Sequence, residues 1–393
     1  ETMDYDFSER VKNLSGNAIR EIFKVLGDKE MISFAGGMPA AECLPAAKVR
    51  EFADELLSEN PVGMLQYGAT EGYMPLRRTF LDYVKNVGIE GYDTDNALVV
   101  SGGQQGIDLM FKAMTNEGDV ILVQNPTYLA VLHIAKTYRL RPIGFDCGED
   151  GADVDDLERK IAAHKPKIVY IVPNFSNPTG KTLKVETRKK IVEIAEKYNV
   201  VVIEDDPYGR IRFAGEHLPS IKSFDKNGHV LYLTSISKTI APALRVGLAV
   251  GDEKLIRKLT VCKQAVDVQT VTLTQAVVEK FISTGEIDRG IARSLPIYKK
   301  KAEAMLAALD RYMPASFTHT VPQGGLFIWG EFKDGTSAKA KFYEAVENKV
   351  AFVAGNDFFA DGSGDNTMRL NFSNATVEQI DAGVKRLGKI FAK

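Results

Sequence analysis

The sequence predicts an α/β protein, with a larger unit built on a mainly parallel sheet and a smaller α+β unit after it. Three observations predict this. Six short apolar runs, rich in β-branched residues, recur between residues 98 and 250 without polar alternation, the pattern of strands covered on both faces. Amphipathic helical stretches separate them, and strand–helix alternation implies parallel pairing. Beyond about residue 285 the pattern changes to one long helix followed by shorter strands and helices.

Taken in order, residues 1–50 contain a predicted helix at 17–26 and a Gly- and Pro-rich passage at 35–45. Such an arm is too short to fold alone and is expected to pack on the smaller unit. The predicted strands cover 98–100, 120–124, 168–172, 200–203, 230–234 and 248–250. At 185–198, Ile191, Ile194, Ala195 and Tyr198 recur at i, i+3, i+4 and i+7 with Lys and Glu on the opposite face, which predicts a helix. Residues 289–313 read as a long helix, 325–329 as a strand, 338–348 as helical, and 350–353 and 368–372 as further strands. The expected organisation is an arm over 1–50, a large domain over 51–285 and a small domain over 286–393.

The chain has 393 residues, enough for two or three units of ~150 residues. Its 50 Lys and Arg against 52 Asp and Glu leave a net charge of −2, without the excess or clustering of a nucleic-acid surface. The longest uncharged stretch, 312–330, contains Pro314, Pro322, His319 and Gln323 and makes a poor membrane span. Residues 1–8 are acidic and aromatic, unlike a secretory signal. The separated cysteines Cys43, Cys147 and Cys262 argue against a disulfide framework and for a reducing cytoplasm. With no CxxC and no histidines at ligand spacing, no metal site is expected.

In open α/β sheets, ligands sit beyond the carboxyl ends of the strands. After 98–100 comes Ser101-Gly102-Gly103-Gln104-Gln105-Gly106, where paired glycines and a helix N-terminus suit an anion; an ordinary strand-to-helix turn is the alternative. After 120–124 comes Asn125-Pro126-Thr127-Tyr128, an aromatic on a turn that also reads as packing. After 168–172, Asn177-Pro178-Thr179-Gly180 is a turn sequence. After 200–203 stand three carboxylates in Glu204-Asp205-Asp206-Pro207-Tyr208, and burying them calls for cationic partners. After 230–234 comes Ser235-Ile236-Ser237-Lys238, with Arg245 seven residues on. A lysine there is either a surface side chain or a cleft amine, made nucleophilic by desolvation and neighbouring cations. A ligand meeting all five strand ends needs an anion, an aromatic face, a partner for a carboxylate and a group that reacts with an amine. Pyridoxal phosphate has these features: phosphate, ring, pyridine nitrogen and aldehyde.

With those motifs in that order, the chain resembles the fold-type I pyridoxal-phosphate aminotransferases of class I. Within that branch it is similar to the 2-aminoadipate, kynurenine and aromatic aminotransferases and to the aminotransferase-like domain of MocR-type regulators. The likeness runs from Ile19-Arg20-Glu21-Ile22 to Met368-Arg369-Leu370-Asn371-Phe372. It implies a mainly parallel seven-stranded sheet in the large domain, pyridoxal 5′-phosphate as cofactor and a homodimer with shared sites. Carried over by motif, Lys238 bonds the cofactor and later shuttles the substrate proton, Asp205 pairs with the ring nitrogen, and Tyr208 and Asn177 hold the phenolic oxygen. Tyr128 stacks on the ring. The phosphate falls to Gly103, Gln104, Ser235, Ser237 and Arg245, and to Tyr67 from the neighbouring subunit. Arg369 takes the substrate α-carboxylate with Asn177, and Gly37 allows close approach. Arg20 stands where related 2-aminoadipate enzymes place a mobile arginine for the distal carboxylate, although a solvent-facing helix arginine reads as well. Gly103 departs from the serine of many relatives, which implies weaker phosphate binding. The implied activity is transfer of an amino group from an amino acid to a 2-oxo acid. A β-lyase on the same residues is an alternative, which the presence of Arg20 disfavours. The sensor half of a regulator is another, disfavoured by the roughly twenty residues before the arm, too few for a further domain.

Overall fold

The computed structural model describes residues 2–14 and 27–392. The helix expected at 17–26, and Arg20 with it, lies outside the described residues. In chain order the strands are β1 (Ile32–Ser33), β2 (Ala97–Val100), β3 (Val120–Asn125), β4 (Arg141–Asp146), β5 (Ile168–Ile171), β6 (Val201–Asp205), β7 (Val230–Ser235), β8 (Gly247–Val250), β9 (Phe317–His319), β10 (Phe327–Phe332), β11 (Val350–Ala351), β12 (Val353–Ala354) and β13 (Thr367–Asn371).

A seven-stranded sheet runs in the order β2-β8-β7-β6-β5-β3-β4. Only β8 opposes the rest, pairing antiparallel with both β2 and β7. The carboxyl ends of β2, β3, β5, β6 and β7 therefore meet along one edge, and the loop from β7 back to β8 lies on that edge. All six predicted runs are strands of this sheet. Its seventh member, β4, escaped the sequence pattern. The segment Arg-Pro-Ile-Gly-Phe-Asp has no apolar run, because an edge strand with one neighbour tolerates proline and a wet face.

Both sheet faces are covered, so β2 and β5 are buried at every residue. The helix Val185–Tyr198 forms as its periodicity predicts and ends on Asn199 in the left-handed region at φ 52°. Residues 350–353 divide between two sheets: β11 pairs parallel with β1, while β12 joins the four-stranded β12-β13-β10-β9 sheet. One apolar cluster runs unbroken from Val123 and Ile203 of the large sheet through Tyr208 and Phe327 to Leu370 and Ile380. Truncating a residue at its centre such as Leu370 would cost ~2–5 kcal/mol.

The segment after β1 is fastened at several points to the long helix Glu286–Tyr312 and to the chain after β13. Ala40 N–H donates to the Tyr298 hydroxyl at 2.9 Å. Lys301 Nζ meets Glu42 at 2.8 Å and donates to Ser373 O at 2.8 Å, while Ser373 Oγ donates to Met38 O. Among the described residues no helix is long and apolar enough to cross a membrane.

Candidate active site

At the carboxyl edge of the large sheet lies a cavity of about 310 Å³. Gly37, Gly103, Gln104, Tyr128, Asn177, Asp205, Tyr208, Ser235, Ser237, Lys238, Arg245 and Arg369 all line it. Residues spread over more than three hundred positions of sequence thus converge, because β2, β3, β5, β6 and β7 all end on this edge and Gly37 and Arg369, from outside the large sheet, close over it. Tyr67 is not among them; it stands 82% exposed on the segment before the helix Met74–Tyr83. Arg20 lies outside the described residues.

One end of the cavity is built for an anion. Gly102, at φ 89°, turns the chain from β2 into the helix Gly103–Met114, whose N-terminus has no side-chain cap. Its first N–H groups and its dipole therefore remain available to a negative group. A Cβ on Gly102 would run into the Arg245 guanidinium, so only glycine lets that arginine reach the turn. Among the described residues Arg245 makes only long hydrogen bonds, to Pro242 O at 3.4 Å and Ser101 O at 3.5 Å. Behind the turn, Gln105 Oε1 accepts from Ser101 N–H at 2.7 Å, and the buried Lys263 ties Gln105 to Asp267 at 3.0 and 2.8 Å. The cradle is thus held from behind by a closed polar network that sequence inspection did not find.

Lys238, in the β7–β8 loop, donates through Nζ to Gly37 O at 2.5 Å. Burial, then the Arg369 and Arg245 charges, bring its pKa down to about 8, so a useful fraction is free amine at neutral pH. Across the cavity the three carboxylates at the end of β6 have separate fates. Glu204 accepts the N–H groups of Ile221 and Lys222 at 2.7 and 2.8 Å and pins that turn. Asp206 accepts from Tyr232 Oη at 2.7 Å and Asn174 Nδ2 at 2.9 Å on the opposite face of the sheet. Asp205 faces the cavity and accepts from Tyr170 Oη at 2.5 Å. Burial pushes its carboxyl up to about 7; the Tyr170 hydrogen bond opposes this and the Asp206 charge adds to it. Among the described residues no cation contributes, which leaves this carboxylate able to pair with a cationic ligand group. Tyr170 was missed in the sequence because it sits inside an apolar run, where it reads as core.

Tyr208 packs edge-on against Phe327, with ring centroids 5.9 Å apart, and burial raises its hydroxyl. Burial and the Asp205 charge raise that of Tyr128 as well. Arg369 is buried, yet no ion pair reaches it among the described residues. Nη1 donates to Asn177 Oδ1 at 2.9 Å, Nη2 to Ala35 O at 2.7 Å, and Nε has no partner. Phe327 and Phe358 flank the guanidinium at 4.4 and 5.1 Å, and burial lowers its pKa to about 10. Such a cation is costly to bury unless an anion joins it. The donor set fits pyridoxal phosphate: an uncapped helix end and a guanidinium for the phosphate, a buried carboxylate short of a cation for the ring nitrogen, and an activated amine for the aldehyde.

The chain matches the family "Aminotransferase class I and II" over residues 29–387. It is 38% identical to the aromatic-amino-acid aminotransferase 1 of Thermococcus litoralis, over 99% of this chain and 95% of that one. Among solved structures it is similar to the multiple substrate aminotransferase of Thermococcus profundus, with a TM-score of 0.94, 37% identity and coverage of 98% and 97% of the two chains. It is also similar to the α-aminoadipate aminotransferase of Thermus thermophilus complexed with N-(5′-phosphopyridoxyl)-L-leucine, at TM-score 0.91, 35% identity and coverage of 98% and 97%. The chain belongs to the class I and II aminotransferases and is a pyridoxal-phosphate-dependent aminotransferase of fold type I.

Proposed function

We propose that the protein passes an amino group from a 2-aminoadipate-like, aromatic or branched-chain-like L-amino acid to a 2-oxo acid such as 2-oxoglutarate, in a ping-pong cycle. The observation that carries this is Arg369, a buried guanidinium with a free Nε that lines the same cavity as the Lys238 amine. A carboxylate held there as a fork places the adjoining Cα within reach of an amine base. The names of the relatives support the range of donors.

When bound, pyridoxal phosphate supplies an aldehyde for the amino group and a ring that accepts the electrons of the broken Cα bond. In our reading Lys238 Nζ takes the proton from the substrate Cα, its lowered pKa leaving it basic but not fully charged. Asp205 holds the ring nitrogen, Asn177 and Tyr208 the phenolic oxygen, and Tyr128 covers the ring. Gly103, Gln104, Ser235, Ser237 and Arg245 hold the phosphate. Arg369 and Asn177 hold the α-carboxylate over Gly37, which has no side chain to obstruct it. Arg20 meets a distal carboxylate.

We also propose a homodimer in which Tyr67 reaches the phosphate of the neighbouring subunit. Val62, Leu65, Tyr67 and Val271 form an exposed apolar face, and Gly68 N–H donates to Gln269 in the loop beside the cradle. A monomer in sedimentation velocity would refute this. The division at 50/51 and 285/286 and a cytoplasmic location, which suits the three free cysteines, are part of the same reading.

The test is the visible spectrum of the purified holoprotein with excess glutamate, followed by 2-oxoglutarate. Loss of the band with the first and its return with the second establishes both halves of the cycle. A yellow protein indifferent to both refutes the glutamate couple, and one that takes up no pyridoxal phosphate refutes the reading of Lys238.

A further inference from the structure

Tyr170 is fully buried. The strand register explains where its hydroxyl goes. Its backbone is level with Ile203 on β6, two residues before Asp205 and on the same face of the sheet. Two residues of strand span about 6.6 Å at ~3.3 Å per residue, a step a phenol crosses and a shorter side chain does not. The hydroxyl therefore arrives at Asp205 Oδ2. A phenylalanine would fill the same apolar space, so packing leaves the hydroxyl unexplained.

The other face repeats the device. Tyr232 on β7 is level with Glu204, two residues before Asp206, and its hydroxyl reaches Asp206 Oδ2 at 2.7 Å. The difference lies in what else each carboxylate has. Asp206 also accepts from Asn174. Asp205 has no second side-chain donor among the described residues, and the groups around it come from every neighbouring element. Tyr170 stands on β5, and the like charge of Asp206 follows directly after the end of β6. Tyr128 and Tyr208 sense its charge from the start of the helix Leu129–Thr137 and from the chain after β6. Gly103, at the N-terminus of its helix, approaches it, and Ser235, Lys238, Arg245 and Arg369 line the same cavity.

We propose, building on the active-site reading above, that Tyr170 is a positioning residue for the cofactor's ring nitrogen: its hydroxyl, donated across the β5–β6 step, keeps the Asp205 carboxylate ionised and turned into the cavity. Tyr170 lines the cavity beside Asp205, and its proposed role runs through that carboxylate. With the Tyr170 hydrogen bond in place and no ligand bound the carboxyl titrates at about 7; without that bond burial would push it higher still, and a neutral carboxyl holds no cation.

The experiment compares Tyr170→Phe with wild type and with Tyr232→Phe, which removes the equivalent hydroxyl on the other face. In full-length protein freed of pyridoxal phosphate, the carboxylic-acid infrared band that disappears in Asp205→Asn is followed against pH. Its midpoint in Tyr170→Phe moves upward by on the order of one pH unit. In protein loaded with pyridoxal phosphate labelled with 15N in the ring, the nitrogen signal at pH 7 moves from the protonated towards the neutral position. Transamination loses about tenfold to a hundredfold in kcat with little change in KM, the range expected for one hydrogen bond to an ionised carboxylate. Tyr232→Phe changes neither the midpoint nor the nitrogen signal. If Tyr170→Phe fails to fold, 3,5-difluorotyrosine at position 170, a stronger donor of the same shape, moves the infrared midpoint downward. An unmoved midpoint and nitrogen signal in normally loaded protein, or the same changes in Tyr232→Phe, overturn the inference alone. A chain whose Lys238 takes up no pyridoxal phosphate overturns the reading beneath it.

Discussion

The two faces of the sheet at the end of β6 hold cavities of nearly equal volume, about 310 Å³ beside Asp205 and about 320 Å³ beside Asp206. They treat charge in opposite ways. On the Asp206 side Arg210 forms an ion pair with Asp288 at 2.7 Å, Asp206 has two donors, and Arg212 is held by the neutral acceptors Ala214 O and Gln323 Oε1 at 3.0 and 3.1 Å. On the Asp205 side a carboxylate, an amine and two guanidinium groups line one space, and no ion pair joins them among the described residues. Volume does not separate a structural cavity from a chemical one. Buried charge without a partner does.

Five substitutions test that contrast, beginning with the largest effect. Lys238→Ala removes the attaching and proton-carrying amine together, and the glutamate half-reaction followed by absorbance should slow by about 10⁴-fold or more. Wild-type speed would show that the unpaired charges do no chemistry. Arg369→Lys keeps the charge but loses the fork, and kcat/KM for every amino acid tried should fall by about 10²-fold. A loss confined to one donor would place the α-carboxylate elsewhere. Gly102→Ala sets a Cβ against Arg245 at φ 89°, and the apparent Kd for pyridoxal phosphate should rise about tenfold in a fluorescence titration. An unchanged Kd would remove Arg245 from the phosphate.

The smallest effect compares the two carboxylates in protein free of pyridoxal phosphate. The folded-state pKa of Asp205, about 7, lies above the ordinary carboxylate value. The native state therefore keeps a proton that the unfolded chain has lost, and stability falls as pH rises from about 4 to 7. Asp205→Asn should raise Tm by a few degrees at pH 8 and by clearly less at pH 5. Asp206→Asn turns a donor towards Tyr232 and Asn174, and should destabilise by ~1–3 kcal/mol at both pH values. If both variants behave alike in calorimetry, the contrast between the two faces fails.

Most of the sheet was legible because continuous β-branched runs leave few alternatives. β4 was not, since Arg141, Pro142 and Gly144 show what an edge tolerates rather than what a strand prefers. Residues 350–353 were read as one strand because nothing local marks the exchange between sheets, which Ile32 and Arg369 decide from elsewhere in the chain. The cavity residues were legible from their place at strand ends and, in combination, from resemblance. Tyr170 was not, because only the register of β5 against β6 gives its hydroxyl a destination. The Lys263–Asp267–Gln105 network was hidden for the same reason: its members look like surface helix residues until the backbone brings them behind the cradle.

The pairing of β1 with β11 has a consequence for synthesis. Ile32 meets Val350, so this strand waits for a partner 318 residues later in the chain. At ~5–20 residues per second, the ribosome takes roughly 15 to 60 s to make that partner. Until then Ala35 and Gly37 cannot offer their carbonyls to Arg369 and Lys238, although the central sheet has already emerged. A nascent chain can thus carry a complete phosphate cradle while the carboxylate end of its cleft does not yet exist, and cofactor capture can precede substrate competence during translation.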